Sequence, residues 1–163
     1  MGRKSNVTTR IPVNDEYAAI IGKAIYMFSY YEWTLIYIID SLTDGFVRRY
    51  SRPSGRPLTS GAVKREMDHE IEKSKHTILP VEMEELEACS HIFGELIHKR
   101  NALIHAHPII DNDGSQILSY QSNRSRPISF MKWPVQQVEE FISEIDNAAV
   151  TANAILFKLR HVN

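Results

Sequence analysis

From Asn14 onward the apolar residues recur at steps of three and four. Tyr17, Ile20, Ile21, Ala24, Phe28, Tyr31, Leu35, Ile38, Ile39 and Leu42 form one stripe, as a helix facing a core requires. Asn14 is suited to cap this helix, Asp15 and Glu16 suit its positive end, and Gly45 supplies a stop. A second apolar set, Ile25, Trp33, Ile36 and Tyr37, lies off the stripe. A helix apolar on more than one side is buried on more than one side, and in a small domain a subunit interface is the expected second cover. Residues 46–60 hold Pro53, Gly55, Pro57 and several serines, which predicts a loop. A weaker helix follows over about Gly61 to His76, with Val63, Met67 and Ile71 as its apolar positions. Pro80 opens the next helix, which Met83, Leu86, Phe93, Leu96, Ile97, Leu103 and Ile104 carry on until Pro108 forbids continuation. Ile109-Ile110 and Ile117-Leu118 around Asp113-Gly114 read as a hairpin. Pro127 to Trp133 adds a third short strand, and Pro134 opens a last helix whose apolar period runs from Val135 to Leu159.

These elements predict an all-α chain: a four-helix bundle with a small β-hairpin inserted before the last helix. The chain has 163 residues, the size of one domain. Residues 1–163 are therefore read as a single unit, with a flexible N-terminus at 1–13, a basic loop at 46–60 and a β excursion at 108–133. The one cysteine, Cys89, excludes an intramolecular disulfide framework and fits a reducing cytoplasm. The N-terminal residues are basic but lack the apolar run of a secretory signal. The most hydrophobic stretch, Ala24 to Ile39, carries Glu32 and is diluted by Ser29 and Thr34. It is shorter than the roughly 20 apolar residues of a membrane span, so no membrane association is expected.

The third long pattern ends His98-Lys99-Arg100-Asn101-Ala102-Leu103-Ile104-His105-Ala106-His107-Pro108. This resembles the signature of the HEPN superfamily: an arginine, usually followed by a polar residue, with a histidine a few positions on, near the end of a long bundle helix. Arg100, Asn101 and His105 match it. The run from Gly22 to Ile39, rich in aromatics and carrying Glu32, is similar to the first helix of many HEPN-like proteins. The likeness is specific over about six residues and architectural over the rest; the hairpin is an elaboration the family pattern does not require. The resemblance implies a HEPN-type bundle and a metal-independent endoribonuclease of the toxin or anti-phage-defence type. It also implies a homodimer with a composite site, an antitoxin or nucleotidyltransferase as a further partner, and no cofactor.

The spacing suits that chemistry. Four residues turn a helix by about 400°, so Asn101 and His105 share a face one turn apart, and the long side chain of Arg100 reaches over it. An imidazole can accept the 2′-hydroxyl proton or protonate the leaving oxygen. A guanidinium can hold the phosphate and its developing charge, and Asn101 can orient either group. One histidine does not conveniently serve as both acid and base, which is the argument for two copies sharing a cleft. Glu32 lies on the Phe28–Leu35–Ile39 stripe and needs a partner there; Arg100 is the candidate. Glu32 joins Arg100, Asn101 and His105 as a catalytic candidate, the plainer reading being that it only orients Arg100 or sits at a half-exposed helix edge. The alternative for Arg100 and His105 is a cap on the last carbonyls of their helix. The alternative for the whole chain is a non-catalytic HEPN-like module that binds RNA, a nucleotide or a protein partner.

His91, His98 and His105 follow one another at intervals of seven, and Glu95 to His98 forms a Glu-x-x-His. A di-iron bundle needs a second such motif, which the sequence lacks, and no metal site is assigned. Charge is balanced in sum, with a net of −1, but segregated along the chain. Between Gly45 and Arg65 stand Arg48, Arg49, Arg52, Arg56, Lys64 and Arg65 with no acid; Arg124, Arg126 and Lys132 form a second run free of acids. Arg48, Arg49, Arg52 and Arg56, together with Lys99, are the candidate RNA contacts. A solvated surface loop is the plainer reading of the first run.

Overall fold

The computed structural model describes residues 12–50 and 58–161. Most of the expected N-terminal segment 1–13 and, in the basic loop, Arg52 and Arg56 lie outside the described residues. The described chain is mainly helical: α1 (Asp15–Leu42), α2 (Phe46–Tyr50), α3 (Ser60–Ser74), α4 (Pro80–Ile104) and α5 (Val135–His161). A three-stranded antiparallel sheet of β1 (His107–Ile110), β2 (Gln116–Gln121) and β3 (Phe130–Trp133) precedes α5.

Local chemistry explains the helix starts. The Asn14 side chain accepts a hydrogen bond from Tyr17 N at 2.8 Å, and Thr59 accepts from Ala62 N at 3.3 Å, each satisfying an orphan amide of a first turn. Pro80 occupies the start of α4, where no amide is missed. The four long helices close a ring, with α1 and α4 each packed against both α3 and α5. Phe28, Tyr31 and Phe93 meet in the middle, with ring centroids 6.2 Å (Phe28–Phe93) and 5.8 Å (Tyr31–Phe93) apart. Trp133, fully buried, ties the sheet to α5 through Phe141 at 5.5 Å.

The structure corrects the expected loop at its start. Phe46–Tyr50 is a short helix, because Gly45 turns the chain at φ +79° and Asp40 accepts from Val47 N at 2.8 Å. Phe46 then enters the core. α2 also covers part of α1's second apolar side. Ile36 is buried, and Trp33 packs on Tyr37 and on Tyr50, at 5.7 and 5.6 Å. The hairpin turns through Asn112-Asp113-Gly114, with Asp111 N donating to Ser115 O at 2.8 Å and Gly114 alone at positive φ, +85°. That is a three-residue turn ending in the left-handed region, where glycine is the least strained residue.

Candidate functional site

α4 ends at Ile104, three residues before the sheet begins at His107, and His105 takes the cap position with φ −103° and ψ 8°. Its amide still donates to Asn101 O, so Asn101 and His105 keep helical register and stay on one face. This end of α4 borders a cleft of about 510 Å³. Arg100, Asn101 and His105 line it with His98 from the preceding turns, Ser60 from the start of α3, Tyr120 from β2 and Arg126 from the β2–β3 connection. His105, Tyr120 and Arg126 also border an adjoining depression of about 590 Å³, which adds His107 and Arg124. No carboxylate lines either space among the described residues. In a chain of nearly balanced charge, three guanidinium groups and three imidazoles are thereby gathered at one place without an acid between them, which is the electrostatics of an anion site.

Arg100 is half-buried and firmly held. Its Nη2 donates to Ser60 Oγ, and the guanidinium lies over the Phe28 ring at 5.0 Å, a cation–π arrangement. Burial lowers the guanidinium below its ordinary pKa, and the Glu32 carboxylate offsets part of that. Glu32 is thus close enough to act on Arg100 through its field, but its buried Oε1 has no hydrogen-bond partner. The same carboxylate, after burial itself, raises the Tyr50 phenol. Glu32, expected among the catalytic residues, is not among those that line the cleft; the burial of its Oε1 on α1 leaves it acting on Arg100 through its charge alone.

The other expected RNA contacts lie elsewhere. Arg48 and Arg49 are exposed on α2 and border neither space. Lys99 is paired with Glu144 of α5, at 2.5 and 2.6 Å from its two oxygens, and borders an adjoining groove between α4 and α5 that shares His98, Pro127 and Ile128 with the cleft. His98, Ser60, Tyr120 and Arg126 were not singled out for this site from the sequence. The interval of seven between His98 and His105 and the run free of acids around Arg124 and Arg126 hinted at His98 and Arg126; nothing local pointed to Ser60 or Tyr120. His91, His98 and His105 are all exposed, and no group of three His, Cys, Asp or Glu among the described residues is placed to hold a metal. Among those residues no helix is long and apolar enough to cross a membrane. No protein-family model matches the chain, and no match was found among curated proteins or solved structures.

Proposed function

We propose that this chain is a HEPN-type, metal-independent endoribonuclease that cleaves RNA by attack of the 2′-hydroxyl at the cleft beside the end of α4. The observation that carries the reading is the meeting of Arg100, Asn101 and His105 in one cleft free of carboxylates, with Arg126 brought in from the sheet. The phosphate sits against Arg100 and Arg126, which hold the added negative charge of the transition state. His105 moves a proton at O2′ or at the leaving oxygen, and Asn101 orients the phosphate. Ser60 and Phe28 hold the Arg100 head group so that little ordering is left for the bound state. Two copies pair in this reading, as the resemblance implies.

The firm tethering of Arg100 also favours a second reading, in which the arginine braces the junction of α1, α3 and α4 and the cleft only binds RNA. The chemistry of the products separates the two. Incubation of the purified protein with varied single-stranded RNAs is expected to give 2′,3′-cyclic phosphate ends or their opened form, at a rate unchanged by chelators. Binding without cleavage would leave the non-catalytic module.

A further inference from the structure

The outer face of α1 takes no part in the cleft. Tyr26, Tyr30, Trp33 and Tyr37 follow one another there at steps of four, three and four, so their rings share one side of the helix. Phe28, which holds the Arg100 guanidinium, lies about 140° or more round the helix from each of them. A site shared by two copies at the cleft therefore makes no use of this face. Tyr26, Tyr30 and Trp33 are exposed and Tyr37 is half-buried. Trp33 packs on Tyr37 at 5.7 Å and on Tyr50 at 5.6 Å, and Tyr50 packs on Phe46 at 6.4 Å. A guanidinium stands at each end of this row: Arg160 over Tyr37 at 5.2 Å and Arg49 over Phe46 at 5.5 Å. We infer that this face is a stacking platform for single-stranded RNA, with bases on the rings of Tyr26, Tyr30 and Trp33 and the flanking arginines on the backbone phosphates.

Exposed rings flanked by cations are what an unpaired strand needs, because every base has a face to stack and every phosphate a charge to meet. Lys23, one turn before Tyr26, and Arg48 beside Arg49 add two exposed cations. The acids near the row in the chain are Glu32, Asp40 and Asp44. Asp40 accepts from the Val47 amide at 2.8 Å, and the charge of Glu32 acts on Arg100 and Tyr50. Successive rings from Tyr26 to Tyr37 advance by about 6, 4.5 and 6 Å along the axis. That exceeds the step of about 3.4 Å between stacked bases in a duplex strand, so a strand that follows the rings is extended and unpaired. A second copy is the poorer occupant. Two copies meeting on this face would bring Arg48, Arg49 and Arg160 of both into one interface, whereas a phosphate backbone is drawn to them. The inference rests on the ribonuclease reading for its ligand, and adds a substrate contact away from the cleft.

The test is binding of the full chain to a 2′-O-methyl oligouridine of about a dozen nucleotides, which has no 2′-hydroxyl to attack. Binding is followed by anisotropy and by Trp33 fluorescence, Trp133 being fully buried, with circular dichroism to confirm that each variant is folded. The single strand is expected to bind and to quench Trp33, and a duplex of the same length to leave Trp33 unquenched. Tyr26→Ala and Tyr30→Ala are each expected to weaken binding by about 5- to 100-fold. Arg49→Ser and Arg160→Ser are each expected to lower the slope of log affinity against log salt by about 0.7. Val150→Ala, exposed on α5, is expected to match the parent. Tyrosine variants that bind as tightly as the parent, or a duplex that quenches Trp33 as the single strand does, overturn the platform. A tyrosine variant whose mass halves in light scattering overturns it too, and gives the face to a second copy. A parent that cleaves RNA but binds the strand without quenching overturns the platform alone. A parent that binds as expected but leaves unmodified RNA uncut overturns the ribonuclease reading alone.

Discussion

Arg100 has three neighbours with different effects on it. Ser60 accepts its hydrogen bond, Phe28 offers a ring face, and Glu32 supplies a field without a direct contact. Ser60 and the Glu32 Oε1 are buried, so removing the guanidinium leaves a hydroxyl and a carboxylate oxygen in place without their cation. Arg100→Ala is therefore expected to lower stability by about 1–3 kcal/mol in urea melts. Glu32→Gln made in the same background is expected to recover part of that loss, because the stranded charge is gone. Strictly additive effects would show that Glu32 and Arg100 do not communicate. By contrast Cys89 takes no part in the cleft: burial pushes its thiol up to about 11, which keeps it protonated and unreactive at neutral pH.

The sheet is joined to the helices through Tyr17. Its hydroxyl donates to Trp133 O at 2.5 Å and accepts from Leu118 N at 2.9 Å, linking the first turn of α1 to β2 and β3. Tyr17→Phe strands a buried carbonyl and an amide, and is expected to cost about 1–3 kcal/mol and to speed hydrogen exchange at Leu118. Unchanged exchange there would show that the sheet is held by its other packing alone. The long helices and the hairpin were legible because periodicity, caps and a glycine turn are local signals. α2 was not: five residues are too few for a period, and its anchor Asp40 lies seven positions before the amide it binds. The link through Tyr17 spans more than a hundred residues, and no pattern of neighbours announces it. The site divides in the same way. Arg100, Asn101 and His105 are legible as a helical spacing, whereas Ser60, Tyr120 and Arg126 join them only when α3 and the sheet fold against α4.

Across the whole chain, charge that cancels in the total is separated in space: the cleft and the depression beside it take arginines from α4 and the β2–β3 connection, with no lining acid among the described residues. α1 still presents Tyr26 and Tyr30 to solvent, 75% and 53% exposed, and Trp33 remains 41% exposed beside Tyr50 of α2, while the core takes Ile36. Light scattering at micromolar concentration is expected to give about twice the chain mass, and a single-chain mass would remove pairing from the proposal. If the arginine and histidine at the end of α4 cleave RNA, the chemical step needs both. The decisive experiment compares single-turnover cleavage by the parent, Arg100→Ala and His105→Ala in chelator, alongside their melting curves. The parent is expected to cleave to cyclic-phosphate ends and both variants to lose at least about two orders of magnitude in rate, with His105→Ala melting like the parent because its ring is exposed. An inert parent, or variants that cleave as fast as it does, would contradict it.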